Sequence, residues 1–231
     1  GWFDDTSDGP VSASVKINGV VIPVESAWVV VAQPDFSPNT VGWRTLYDLM
    51  TDTYHANGWL APPERPSFSR DVLPIFQRLS GLQWVNKGFA TLFGQGAPFD
   101  FNNPLLLAKL SRTDETFSHL RQAVFNAFRG ASNAVHESRT WPWLYGDTFG
   151  AEQESAHDHL APSPYRSQLL KRWVKGEFHA DWTPDHKPPA HLDDVNLADQ
   201  PAMLDQAALH FCLADAFHPG IELSWPMRHI S

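Results

Sequence analysis

Apolar and polar positions alternate along the first part of the chain. Val11, Ala13, Val15 and Ile17 are separated by Ser12, Ser14 and Lys16, the period-two signature of a half-buried strand. Asn18-Gly19 follows, and Val20, Ile22 and Val24 resume the alternation. An Asn-Gly pair accepts positive φ at both turn positions, so the spacing predicts a β-hairpin. Residues 27–32 are continuously apolar and predict a third strand buried on both faces. Pro34 and Pro38 then break the regularity. Beyond them the period lengthens to that of helices, over 41–54 and 71–79, with Leu46 and Met50 four apart. A helix over 114–129 is capped by Thr113, has Asp114 and Glu115 at its positive end and is stopped by Gly130. Its apolar stripe is Phe117, Leu120, Val124 and Phe128. Another spans 164–176, turning Leu169, Leu170, Trp173 and Val174 inward. A further helix begins at Pro201, carries Leu204, Ala208 and Cys212 at four-residue spacing and is broken by His218-Pro219-Gly220. Stretches 131–162 and 183–200 read as loop. The class is α+β: an N-terminal β-hairpin and sheet over 1–40, then a mainly helical, loop-rich body over 41–231, the two forming one continuous unit of a larger fold.

Composition narrows the function classes. With 26 acidic against 17 basic residues the formal charge is −9, which argues against a nucleic-acid or anionic-membrane surface. Cys212 is the sole cysteine, so an internal disulfide and a multi-cysteine metal site are excluded. No apolar run reaches membrane-span length, and the expected protein is soluble, cytoplasmic or secreted. The chain opens on Gly1 and its methionines are Met50, Met203 and Met227, so it reads as a processed chain or a fragment.

Candidate chemistry is sparse. No phosphate-binding glycine loop, nucleophile elbow or HExxH motif is present. His157-Asp158-His159 offers two ligands at most and reads better as a solvated polar loop. Asp4, Asp5 and Asp8 lack calcium-loop spacing and read as turn formers. Among ten tryptophans, Trp28 and Trp173 fall on buried patterns, whereas Trp141 and Trp143 are the surface candidates. Cys212 lies between His210 and Asp215, just before His218.

A set of segments, taken in order, resembles the cysteine-tryptophylquinone-dependent amino-acid oxidases, the family of L-lysine 6-oxidase and glycine oxidase. They begin with Gly1-Trp2-Phe3-Asp4-Asp5-Thr6-Ser7-Asp8-Gly9-Pro10-Val11 and Ala27-Trp28-Val29-Val30-Val31-Ala32. Thr45-Leu46-Tyr47-Asp48, Asn103-Pro104 and Leu107-Ala108-Lys109-Leu110-Ser111 follow, then Leu144-Tyr145-Gly146-Asp147. Arg172-Trp173 with Gly176, Phe178, Asp181 and Trp182 comes next, and the stretch from Cys212 to Trp225 closes the set. The resemblance covers nearly the whole chain.

The resemblance implies a protein-derived cofactor, cysteine tryptophylquinone, in which an oxidised tryptophan is joined to a cysteine sulfur with help from a flavoprotein. It implies oxidative deamination of a small-molecule primary amine by dioxygen, releasing ammonia and hydrogen peroxide. Cys212 is then the sole candidate for the crosslinking cysteine, and Asp205, Asp215, His210 and His218 are the local candidates for the base. If the family cysteine falls instead within Pro219-Gly220-Ile221-Glu222, Ile221 occupies its place and no quinone forms. The tryptophan partner is expected outside this chain, on other segments or chains of the same oxidase. An internal piece of a larger fold should also leave apolar faces bare. The second reading is a relative without the cofactor and without activity, binding a ligand such as a sugar through exposed tryptophans.

Overall fold

A computed structural model describes residues 7–31, 40–84, 87–129, 141, 161–185, 187 and 189–212. The fold class is α+β, as the patterning predicts. Strand β1 (Ser7–Val11) pairs antiparallel with β4 (Ala27–Val31), and β2 (Ser14–Ile17) pairs with β3 (Val20–Pro23). The turn is the expected one: Asn18 has φ of 51° and Gly19 of 85°, the left-handed pair of a two-residue hairpin loop.

The two ladders are successive parts of one hairpin. The Val24 N–H donates to the Ala13 carbonyl at 3.1 Å, and the Ser12 and Ser26 hydroxyls meet at 2.8 Å. Between the pairs Ser14↔Pro23 and Val11↔Ala27 the first strand moves three residues and the second moves four. The second strand therefore carries one extra residue, a β-bulge, within 24–26. Opposite residues share a face, and the first strand keeps its alternation throughout. Val11, Val15 and Ile17 thus stand on one face with Val20, Ile22, Val29 and Val31. The bulge shifts the second strand by one position, which keeps its apolar residues on that face.

Burial differs from the sequence expectation. Strand β4 is not buried on both faces: Trp28 and Val30 are half-buried, while Val29 and Val31 are exposed. All of β2 and β3 is exposed rather than half-buried. Continuous apolarity in 27–32 reports what the segment is able to bury, not what these residues cover by themselves.

The chain packs as two compact units, Gly1–Met50 with Lys187–Ile221, and Thr51–His186 with Glu222–Ser231. The first holds the hairpin, the start of helix α1 (Leu46–Ala56) and helix α7 (Gln200–Phe211), which packs against β4. Helix α1 begins later than its predicted start because Thr45 caps it. The Thr45 N–H donates to the Asp48 carboxylate at 2.7 Å and the Asp48 N–H returns to the Thr45 hydroxyl at 3.3 Å, a reciprocal capping box. In α7 the predicted stripe fails at Leu204, which is 54% exposed. The neighbouring Asp205 is half-buried instead, because its carboxylate is engaged by β4.

The second unit contains α2 (Leu73–Gly81), α3 (Lys87–Phe93), α4 (Pro104–Leu110), α5 (Ser118–Ala127) and α6 (Pro164–Val174). Its core is aromatic. Phe76 stacks on Phe101 at 4.9 Å and meets the edge of Trp173 at 5.1 Å. The Trp173 indole N–H donates to the buried Leu110 carbonyl at 2.9 Å. Trp141, expected at the surface, is 4% exposed and packs edge-on against Phe99 at 4.6 Å and Phe93 at 4.9 Å. Apolar ring area outweighs the turn signal of the neighbouring Pro142. Trp143 lies outside the described residues.

The predicted helix over 114–129 is shorter than expected. Asp114, not Thr113, provides the cap, accepting the Thr116 N–H at 3.0 Å before a 3-10 turn at Glu115–Phe117. Helix α5 ends at Ala127, and Phe128 turns extended to bridge Trp141. Val124 and Phe128 are buried, Phe117 and Leu120 are half-buried, and Arg121 occupies the buried face between them. Its guanidinium donates to the carbonyls of Arg112 at 2.6 Å, Asp114 at 3.1 Å and Val174 at 3.4 Å. Helix α6 matches its predicted start and inward residues, except that Val174 is half-buried. Gly176 follows it with φ of 77°.

Candidate functional site

Cys212 closes α7. It is buried, its thiol is free, and its backbone is extended. The Leu46 N–H donates to the Cys212 carbonyl at 2.9 Å, which satisfies one of the carbonyls a helix end leaves open. This bond fixes the cysteine against the first turn of α1. One residue on, the Tyr47 ring lies 4.3 Å from the His210 imidazole with the planes tilted by 34°. The capping box at Thr45 and Asp48 therefore sets two contacts to the end of α7.

Strand β4 supplies the opposite wall. The Trp28 N–H donates to Asp205 Oδ1 at 2.9 Å. Trp28 stands opposite Pro10 in the ladder, and its N–H, not used in that pairing, finds its acceptor on α7. The Trp28 indole N–H donates to Asp8 Oδ2 at 3.1 Å. Asp8 is thus a strand residue holding a tryptophan ring, where the sequence suggested a turn former. Burial pushes the Cys212 thiol up from its ordinary value, and the nearby Asp8 carboxylate raises it further.

Of the five candidates from the sequence, three lie in this unit. Cys212 and His210 sit at the α1 contact, and Asp205, earlier on α7, meets β4 at Trp28. Asp215 and His218 lie outside the described residues, as does His157-Asp158-His159. Among the described residues no three His, Cys, Asp or Glu side chains gather as metal ligands, and no helix is long and apolar enough to cross a membrane. Asp8, Trp28, Leu46 and Tyr47 were not proposed as site residues from sequence. One signal was readable: Thr45-Leu46-Tyr47-Asp48 has the spacing of a capping box.

Two family models match the chain. The one described as L-lysine epsilon oxidase N-terminal covers residues 1–31, and the one described as L-lysine epsilon oxidase C-terminal domain covers 146–231. The chain belongs to the L-lysine ε-oxidase family. It is 28% identical to L-lysine 6-oxidase of Marinomonas mediterranea over 99% of its own length. It spans about a third of that relative, 34%. A structure of the ε-lysine oxidase from the same organism matches 98% of the chain and 36% of its own, with a TM-score of 0.59 and 25% identity. A crystal structure of the Schiff base intermediate of that enzyme with L-Lys matches 95% of the chain and 34% of its own, at a TM-score of 0.58 and 24% identity, and speaks for the fold.

The segments that carry the family resemblance divide into two groups by what they do. Asn103 caps α4, Trp173 bonds Leu110, and Phe178 is buried. At Gly176 a Cβ would stand 2.7 Å from the Thr113 carbonyl oxygen. Asp181 accepts the Ser67 hydroxyl and the Ser69 N–H at the head of a short π-helical turn, Phe68–Val72. These residues hold the helical unit together. Asp8, Trp28, Leu46, Tyr47 and Cys212 form the other group: Leu46 and Tyr47 meet the end of α7, and Trp28, held by Asp8, meets it at Asp205.

Proposed function

We propose that this chain is the cysteine-bearing part of a quinone-dependent amino-acid oxidase, which deaminates a primary amine with dioxygen and releases ammonia and hydrogen peroxide. Cys212 is the thiol that would carry cysteine tryptophylquinone. Its tryptophan partner lies on oxidase polypeptide outside these 231 residues, and a flavoprotein assists maturation. What supports this reading is that family-like segments around residues 28 and 46 both hydrogen-bond to α7 and the cysteine that closes it, while the segment around residue 8 holds Trp28.

The residues present suit a thioether. The sulfur is in no disulfide, and the Cys212 backbone is fixed by Leu46, which defines where a joined ring is held. When bound, the quinone supplies an electron sink for the electrons of the amine C–H bond. The chain's own part is to hold, orient and move a proton. Asp205 commits Oδ1 to the Trp28 N–H, which leaves Oδ2 as the oxygen to take a proton. Asp8 holds the Trp28 indole through Oδ2 in the same way. His210 is oriented by the Tyr47 ring.

Intact-mass measurement on the mature oxidase under denaturing conditions tests the assignment. A crosslink that keeps Cys212 from alkylation, with quinone absorbance lost in Cys212→Ser, is the expected result. A Cys212 thiol that alkylates fully in an oxidase still producing peroxide overturns it.

A further inference from the structure

The hairpin over residues 7–31 has one face that is apolar along its full length, and the bulge is what makes it so. Without the extra residue in 24–26, Val29 and Val31 would stand on the face of Trp28's present neighbours, opposite Val11 and Val15. With it, Val31, Val29, Ile22 and Val20 share one face, with Ala27 among them. That face is bare: Ile17 is 52% exposed, Val20 64% and Val31 56%. The charged residues Asp8 and Lys16 fall on the opposite face by register. That opposite face is where Trp28 lies, and α7 packs on β4. A hairpin face that leaves its Val and Ile side chains exposed in this way has the pattern of a layer that packs against another. A hairpin of two strands is also marginal alone and needs a further layer or strand.

We propose that this face is the docking surface for further polypeptide of the same oxidase, packed as a second layer across the hairpin. The proposal rests on the oxidase reading above. The occupant follows from two findings. The N-terminal family model matches residues 1–31, the hairpin and its leading residues, and the whole chain spans 34% of its oxidase relative. The part of an oxidase of that length outside the matched third is the partner whose own core this face continues. The absence of charge by register excludes a polyanion as the occupant of this face.

Hydrogen exchange over residues 14–24 decides the matter, comparing the 231-residue chain with a longer oxidase polypeptide that contains it. These amides are expected to exchange at least about tenfold more slowly in the longer polypeptide, at rates independent of protein concentration in the short one. The double variant Val20→Asp, Ile22→Asp is expected to remove that protection while leaving the unfolding midpoint of the short chain unchanged. Equal exchange in both polypeptides overturns the proposal. So does protection that appears in the short chain as concentration rises, which marks a second copy as occupant. Neither readout uses the quinone or turnover. A crosslinked Cys212 with an unprotected hairpin sinks this inference alone, and a protected hairpin with a free thiol sinks the oxidase assignment alone.

Discussion

Replacing Asp205 separates its structural role from any part in proton transfer. Its Oδ1 accepts the Trp28 N–H at 2.9 Å, the donor that β4 turns away from β1. A hydrogen bond to a charged group contributes about 1.5–3 kcal/mol, and an edge that water can reach recovers part of it. Asp205 and Trp28 are both half-buried, so Asp205→Ala should cost about 1–2 kcal/mol in the first unit. That loss corresponds to about a 5- to 30-fold faster exchange of the Trp28 amide. Asp205→Asn keeps a carbonyl oxygen in place of Oδ1 and forfeits only the charge assistance, so its cost should stay below about 1 kcal/mol. Urea unfolding followed by the Trp signal, with amide exchange read at Trp28, distinguishes the two variants. If Asn and Ala destabilise equally, or if Ala leaves the Trp28 amide protected, the bond does not join α7 to the hairpin as described. In the mature oxidase, Asp205→Asn should then lower turnover while keeping Trp28 protected, if Oδ2 takes the substrate proton.

Three further outcomes are expected. Gly176→Ala forces an L-residue to φ of 77° with its Cβ 2.7 Å from the Thr113 carbonyl oxygen, and should destabilise the helical unit by about 1–3 kcal/mol in urea titration. Burial tends to raise the Asp181 carboxyl, but hydrogen bonds from Ser67 and Ser69 outweigh it and hold the group below its ordinary value. Its contribution is therefore full above about pH 4, the unfolded value, and is lost as pH falls through the lower folded value. Asp181→Asn should flatten acid unfolding in that range while lowering stability at pH 7 by about 1 kcal/mol. Asp8→Asn removes the charge that, after burial, holds the Cys212 thiol up. Iodoacetamide should then label Cys212 faster at fixed pH, and an unchanged or slower rate would show that Asp8 does not act on the thiol.

The readable parts of the fold were those fixed by local chemistry. Asn18-Gly19 admits hardly any turn but the one found, and Ser163-Pro164 opens α6 as a cap followed by a first-turn proline. The misread parts depend on partners far along the chain. Trp141 has Pro142 beside it, yet Phe93, Phe99 and Phe128 enclose its ring. Arg121 breaks the apolar stripe of α5, but the carbonyls of Arg112 and Asp114 and that of Val174 at the end of α6 wait for its guanidinium. The bulge in 24–26 leaves no mark on the alternation of either strand taken singly, since it is a mismatch in count between them. At the site, the cysteine and its helix could be read, whereas Asp8 and Tyr47 could not, because their roles depend on where α7 ends.

The surroundings of Cys212 also discriminate among uses of a cysteine. A thiol built to attack as thiolate sits near positive charge, commonly at a helix N-terminus, where its ionised form is favoured. Cys212 has the reverse setting. It closes the C-terminal end of α7, where the helix dipole is negative, and the Leu46 N–H goes to its carbonyl rather than its sulfur. Burial and the Asp8 carboxylate both push its ionisation up. Each of these keeps the sulfur neutral at physiological pH, which suits neither a turnover nucleophile nor a thiol redox switch. A sulfur whose part is to be joined once to a carbon and then held in place has no need of a low ionisation point. It needs a fixed backbone, and the Leu46 hydrogen bond provides it.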